Sequence, residues 1–237
     1  MSRSPDAAAM VPGWESPLFR SRGIAHWFSS RDVPPCESIA RHLGGPGAVA
    51  VRARQVHGRR CIVATKQAAD GLQEADAILS SNPLLVPMVS TADCVPLLIV
   101  CTATRTCAAV HAGWRGIALN IVHEAIASMR THFLADPSSI VAAIGPCAGG
   151  DRYEVGEDVC DAWSAIGLGG AIRAPHSPGK SLVNCALAVR LLLEHEGIST
   201  RAIDMTAPCT IADERFASYR REPQSPIRMI AGIVPPA

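Results

Sequence analysis

Apolar positions in this chain fall in short runs bounded by polar or turn residues, the pattern of buried strands. The two clearest are Val95–Cys101 and Thr106–Val110, both rich in β-branched or small apolar residues. Thr102–Arg105 between them is short enough for a tight connection, so the pair reads as a hairpin. Cys94, just before the first strand, and His111, just after the second, then come to one rim of a sheet. Gly113 and Gly116 flank Trp114 and Arg115, and the spacing predicts an amphipathic helix over Ile117–Arg130. A glycine-bearing turn feeding a helix N-terminus would offer free N–H groups to an anion beside the Cys and His.

The same pattern predicts strands over Gly23–Ser29, Ala48–Gln55, Cys61–Thr65, Ala75–Leu79, Leu85–Ser90, Ile140–Ile144, Tyr153–Val155, Ala202–Met205 and Ile227–Val234. Helical spacing marks Cys36–His42, Asp158–Ala165 and Asn184–Glu196, the last with Gly197 as its C-cap. Gly167–Gly170 reads as a flexible tip and Met1–Phe19 as a loose arm, with a short strand at its end. There is no repeat, low-complexity block or linker. The expectation is α+β: an N-terminal arm over residues 1–22, then one domain over 23–237. That domain combines mixed β-sheets with packed helices and carries its site at the strand ends of the central hairpin.

Composition narrows the function classes. A chain of 237 residues can bury a sizeable core. A net charge of +1 and the lack of a basic stripe argue against nucleic acid. No apolar run approaches the ~20 residues of a membrane span, and the N-terminus lacks a signal peptide's apolar core. A cytoplasmic protein is expected. Nine cysteines, an odd number without a paired framework, then read as thiols, most of them packing as small hydrophobes.

His57, Cys94 and His111 each lie at a strand end beside Gly or Asp. Taken singly, a His in such a place is usually a surface or hydrogen-bonded residue, and a Cys usually fills the core. Together they could bind zinc with an open fourth position, or blue copper with Met88 as axial ligand. Cys94 could instead be a nucleophile activated by His111. Cys147 is the fourth ligand that a closed, structural zinc site would need. Arg115, Arg220 and Arg221 are suited to an anion because guanidinium matches phosphate and carboxylate forks, though a solvated pair explains the last two as well. Tyr219 can stack on a ring or simply pack. Asp76 and Asp93 can orient a ligand histidine or cap a turn.

QVHG at Gln55–Gly58, ADAILS at Ala75–Ser80, TADCVPLLI at Thr91–Ile99 and AAVHAGWRG at Ala108–Gly116 resemble the laccase-domain (YfiH-like) family. IGPCAG followed by YEVG, and CT followed by FASYRR, continue the match in order, so it covers nearly the whole chain from about Gly23. Members are also labelled polyphenol oxidase, purine nucleoside phosphorylase and peptidoglycan editing factor. The resemblance implies a cytoplasmic enzyme with zinc on His57, Cys94 and His111. It implies phosphorolysis of adenosine, inosine or methylthioadenosine, and adenosine deamination. Catalysis is then assigned to Cys94, His111 and Arg115, and substrate binding to Arg31, Asp76, Tyr219 and Arg220. Arg31 enters through Ser29-Ser30-Arg31, where the family has Ser-Thr-Arg. The chain departs from the family in DVPPCESIARHLGG, which lacks the Gly-Gly-Val-Ser and Asn-Leu segment, and in Ile227-Arg228, where Gly-Arg is usual.

The labels imply different chemistry. A multicopper laccase needs a ligand set for each metal, whereas this chain has eight His and no His-x-His pair. That favours zinc over copper. The expected partners are a purine nucleoside and phosphate, with no nucleic acid and no membrane. Precursor editing by amide hydrolysis, copper-dependent phenol oxidation and a non-catalytic zinc module remain as alternatives.

Overall fold

The computed structural model describes residues 12–66 and 73–236. The strands, in chain order, are β1 (Gly13–Trp14), β2 (His26–Ser29), β3 (Val49–Val51), β4 (Cys61–Val63), β5 (Ala77–Ser80), β6 (Leu85–Thr91) and β7 (Val95–Cys101), followed by β8 (Thr106–Ala112), β9 (Ile140–Ile144), β10 (Glu154–Gly156), β11 (Ile172–Ser177), β12 (Lys180–Val183), β13 (Ile203–Asp204) and β14 (Met229–Ile233). The helices are α1 (Pro17–Ser21), α2 (Cys36–Gly44), α3 (Trp114–Ala118), α4 (Ile121–Phe133), α5 (Glu157–Ser164) and α6 (Cys185–His195). They build an α+β domain with three sheets, ordered β13-β9-β7-β8-β5-β4, β1-β2-β14-β6-β3 and β10-β12-β11.

The central hairpin forms as its apolar pattern predicts. β7 pairs antiparallel with β8, Pro96 opposite His111 and Val95 opposite Ala112, so Cys94 follows on opposite Gly113. All seven residues of each strand are buried, because both faces are covered. Leu97, Ile99, Ala108 and Val110 pack against the helices. Leu98, Val100, Cys107 and Ala109 meet Phe28, Val89, Ala231 and Ile233 of the five-stranded sheet. The far face of that sheet, with Val86, Met88 and Ile230, packs on Ile39 and Ala40 of α2. The result is four layers, helix on sheet on sheet on helices, which explains why these strands read as continuous apolar runs rather than alternating ones.

Three expectations change. The single helix over Ile117–Arg130 is two helices. Asn120 adopts a left-handed conformation (φ 60°) and its side chain caps α4 by accepting from His123 N–H, which turns the chain between α3 and α4. Residues 13–21, read as part of a loose arm, are packed: β1 pairs with β2, Phe19 is fully buried, and Ser16 hydrogen-bonds the buried Asp204. The rest of the arm, residues 1–11, lies outside the described residues. Finally, residues 172–183 form the antiparallel pair β11–β12, which the polar sequence around Gly179 does not announce.

Candidate metal centre and cleft

Three elements deliver the candidate ligands. The hairpin rim supplies Cys94 and His111, and the loop after β3 supplies His57, whose φ of 58° is unusual for a non-glycine residue. The donor atoms of these three side chains lie within 4.8 Å of one another. Cys94 Sγ is 4.0 Å from His57 Nε2, and the two imidazoles meet edge-on with centroids 4.7 Å apart. Among the described residues this is the one group of three or more His, Cys, Asp or Glu that could hold an ion.

Asp76 holds the group in shape. Its buried carboxylate accepts from His111 Nδ1 at 2.8 Å and from the backbone N–H groups of Val56 (3.3 Å), His57 (3.0 Å) and Gly58 (2.7 Å). Its carbonyl also accepts from His111 N–H at 2.7 Å. With an ion in place, a proton kept on Nδ1 by Asp76 would fix the tautomer and turn Nε2 of His111 toward the ion. Burial would raise the carboxyl's pKa, but the bonds from His111 and the backbone outweigh it and hold Asp76 below the usual carboxylate range. Burial also opposes the charged forms of Cys94 and His111. Hydrogen bonds to both imidazoles outweigh it for Cys94 and lower the thiol to about 7. Hydrogen bonds to Asp76 and Cys94 raise His111 to about 9.

Two nitrogen donors and one thiolate, with a carboxylate behind one histidine, fit zinc. Room for the cluster depends on Gly113, where an added Cβ would stand 2.9 Å from His57 Cδ2 and 3.1 Å from Cys94 Sγ. Two expectations about further ligands are corrected. Met88 is buried in the layer against α2, so it is not an axial ligand. Cys147 is buried and not part of the group; burial, first of all, pushes its thiol up to about 12.

The three residues open into a cleft of about 540 Å³. Arg115, Tyr219 and Arg220 line it, as does Asp93. Asp93, with φ 83°, accepts from Thr210 Oγ1 and from Arg220 N–H, both at 2.6 Å. It therefore grips the loop carrying Tyr219 and Arg220, not a histidine. Arg220 extends from there to Glu154 O (2.8 Å) and lies 4.9 Å over the Tyr153 ring. Arg115 lies 4.2 Å over Trp114, whose carbonyl is held by Trp163 Nε1 at 3.2 Å.

Other assigned residues stand elsewhere. Asp76 is beneath the histidine and does not line the cleft. Arg31 is bound to Glu222 at 3.0 Å and is likewise absent from the lining. Arg221 does not line the cleft: its guanidinium donates to Thr210 O, Ile211 O, Phe216 O and Glu222. The helix N-terminus expected to bind an anion is only the five-residue α3, and the start of α4 is outside the cleft. Arg52, Tyr153 and Arg228 line the cleft without having been singled out. The available signal was for Arg228, through its place in the Gly-Arg pair of the resemblance; Arg52 fell inside the predicted strand Ala48–Gln55 and gave none.

Residues 35–235 match the family model described as multi-copper polyphenol oxidoreductase laccase. A Deinococcus radiodurans protein named purine nucleoside phosphorylase is 34% identical over 203 residues, covering 84% of this chain and 77% of its own length. The Escherichia coli purine nucleoside phosphorylase YfiH is 30% identical over 237 residues, covering 90% and 93%. Among solved structures, YlmD from Geobacillus stearothermophilus superposes with a TM-score of 0.83 at 24% identity, covering 96% and 98%. A Neisseria meningitidis protein of the DUF152 family superposes at 0.78 with 26% identity, covering 96% and 99%.

Proposed function

The chain belongs to the laccase-domain, or multi-copper polyphenol oxidoreductase laccase, family, and from that premise we propose that it is a zinc-dependent purine nucleoside phosphorylase. Its substrates are adenosine, inosine or methylthioadenosine, and it also deaminates adenosine. The observation that carries the reading is the joining of one His57–Cys94–His111 group to a cleft lined by arginines and aromatic rings. A single three-donor group among the described residues supports one zinc over the multi-copper chemistry of the family's description. Nine free cysteines suit a reducing, cytoplasmic setting, and among the described residues no helix is long and apolar enough to cross a membrane.

Zinc, when bound, would supply Lewis-acid chemistry and make a nearby water more acidic. The chain's own residues do the rest. Asp76 keeps His111 in the tautomer that binds through Nε2. Arg115 and Arg220 hold orthophosphate, while Trp114, Tyr153 and Tyr219 offer rings to the purine. In phosphorolysis a phosphate oxygen bonds to ribose C1′, the C1′–N9 bond breaks, and the purine leaves with the electron pair and takes up a proton.

The test follows products by chromatography, from adenosine with and without phosphate. Adenine should form only with phosphate, and inosine with or without it. Arg115→Lys keeps the charge but loses the bidentate fork. It should retain zinc and lose phosphorolysis by ~10-fold or more, since a charged hydrogen bond is worth ~1.5–3 kcal/mol. Deamination should fall less. Absence of adenine from the wild-type reaction would overturn the reading.

A further inference from the structure

The cleft holds more positive charge than one orthophosphate requires. Arg52, Arg115, Arg220 and Arg228 all line it, in a chain whose net charge is only +1. Among the described lining residues Asp93 is the one carboxylate, and both its oxygens are engaged by Thr210 and Arg220. A phosphate monoester carries about −1.5 to −2 near neutral pH. Two guanidinium groups match one such charge, and four match two.

The arginines also divide by origin. Arg115 sits on α3, and Arg220 is bound to β10 through Glu154. Arg52 directly follows β3 and Arg228 directly precedes β14, two strands of the five-stranded sheet with β6 between them. Neither forms an ion pair among the described residues. Arg228 uses Nη1 on the carbonyls of Ser225 and Ile227, at 3.0 and 2.8 Å, and lies 5.9 Å from the Tyr219 ring centroid. Its other nitrogens are left for a ligand. Arg52 hydrogen-bonds the Cys36 thiol of α2, a neutral partner that leaves its charge uncompensated.

We propose that Arg52 and Arg228 form a second anion subsite, which takes the phosphoryl group of a 5′-phosphorylated purine nucleoside while Arg115 and Arg220 hold orthophosphate. This deepens the nucleoside reading above and rests on it. On such a substrate the C1′–N9 bond breaks and a C1′–O bond to phosphate forms. The purine leaves with the electron pair and takes up a proton, and the other product is ribose 1,5-bisphosphate. No oxidant or reductant is needed.

The experiment is calorimetric titration of the zinc-loaded full chain with adenosine, with adenosine 5′-monophosphate and with inorganic phosphate. The monophosphate should bind at least ~10-fold more tightly than adenosine, the worth of one or more charged hydrogen bonds. That ratio should fall to about 1 in Arg52→Ala/Arg228→Ala, with inorganic phosphate affected less. Arg52→Gln alone, at an exposed strand end, should lower the ratio in part and guards against misfolding of the double variant. A wild-type ratio near 1, or one that survives the double substitution, would overturn the subsite. So would a ratio that collapses in Arg115→Ala instead. Adenosine phosphorolysis measured on the same batch separates the two ideas. Adenine formation without tighter monophosphate binding removes the subsite and keeps the nucleoside reading, and tight, Arg52- and Arg228-dependent binding without adenine from either compound does the reverse.

Discussion

Asp76 and His111 are joined twice, by a side-chain hydrogen bond of 2.8 Å and by a backbone hydrogen bond of 2.7 Å between His111 N–H and the Asp76 carbonyl. The same carboxylate gathers three backbone N–H groups from the loop that carries His57. One buried charge thus sets the position of two candidate ligands. Asp76→Asn should lower zinc affinity by ~10–100-fold, the usual cost of losing such a supporting group. The amide must also turn one N–H₂ face toward backbone donors, so the thermal midpoint should fall. Competition against a chelator of known affinity reads the first effect and calorimetry the second. Unchanged affinity would mean that the loop and hairpin hold the ligands without Asp76.

Gly113→Ala tests the space inside the cluster. The methyl group would press on His57 and Cys94 at 2.9 and 3.1 Å, while the φ of −74° at this position suits any residue. The fold should therefore persist and zinc should be lost. Elemental analysis together with an unchanged circular dichroism spectrum is the expected pair of results.

The Cys94 thiol, lowered to about 7 by its histidine partners, should react unusually fast once metal is stripped. The thiolate is the nucleophile, so alkylation should rise with pH through a midpoint near 7 rather than near the ordinary ~8.5. Below that midpoint the thiol is protonated and the rate should drop. His111→Ala removes the first of the hydrogen bonds that favour the thiolate and should move the midpoint upward. Added zinc should suppress the reaction. Mass spectrometry of the peptide containing Cys94, over a pH series of iodoacetamide labelling, gives the profile.

Asp93 ties the rim beside Cys94 to the loop of Tyr219 and Arg220 through two bonds of 2.6 Å. Asp93→Ala should free that loop. KM for nucleoside or phosphate should rise by ~10-fold, the worth of one charged hydrogen bond, with zinc content retained. Asp93→Asn can still accept from Arg220 N–H and donate to Thr210, so it should recover much of the loss. Equal damage from both variants would make Asp93 a general support of the fold.

The hairpin and the meeting of its two candidate ligands were legible because a single local pattern, two apolar runs with a short turn, brings Cys94 and His111 together. The pattern of α6 was equally clear: Ala188, Val189, Leu192 and Leu193 fall on one buried face. What sequence did not give depends on partners distant in the chain. Arg31 looked suited to a pocket, but Glu222 across the C-terminal loop captures it. Arg221 and Arg220 are adjacent and chemically alike, yet carbonyls from residues 210, 211 and 216 take one and the cleft receives the other. Arg52 and Arg228 reach the cleft only because β3 and β14 flank β6, a strand order that no single run encodes. The break at Asn120 was hidden by apolar residues that continue on both sides of it.

Zinc dependence is tested by reconstituting metal-stripped protein with increasing zinc and following adenine formed from adenosine and phosphate. Activity should rise linearly and level off at about one zinc per chain, the stoichiometry of a three-ligand catalytic site. His57→Ala, Cys94→Ala and His111→Ala should each lose bound zinc and activity together. Adenine formation that is independent of zinc, or full zinc occupancy in Cys94→Ala, would contradict the zinc-dependent reading.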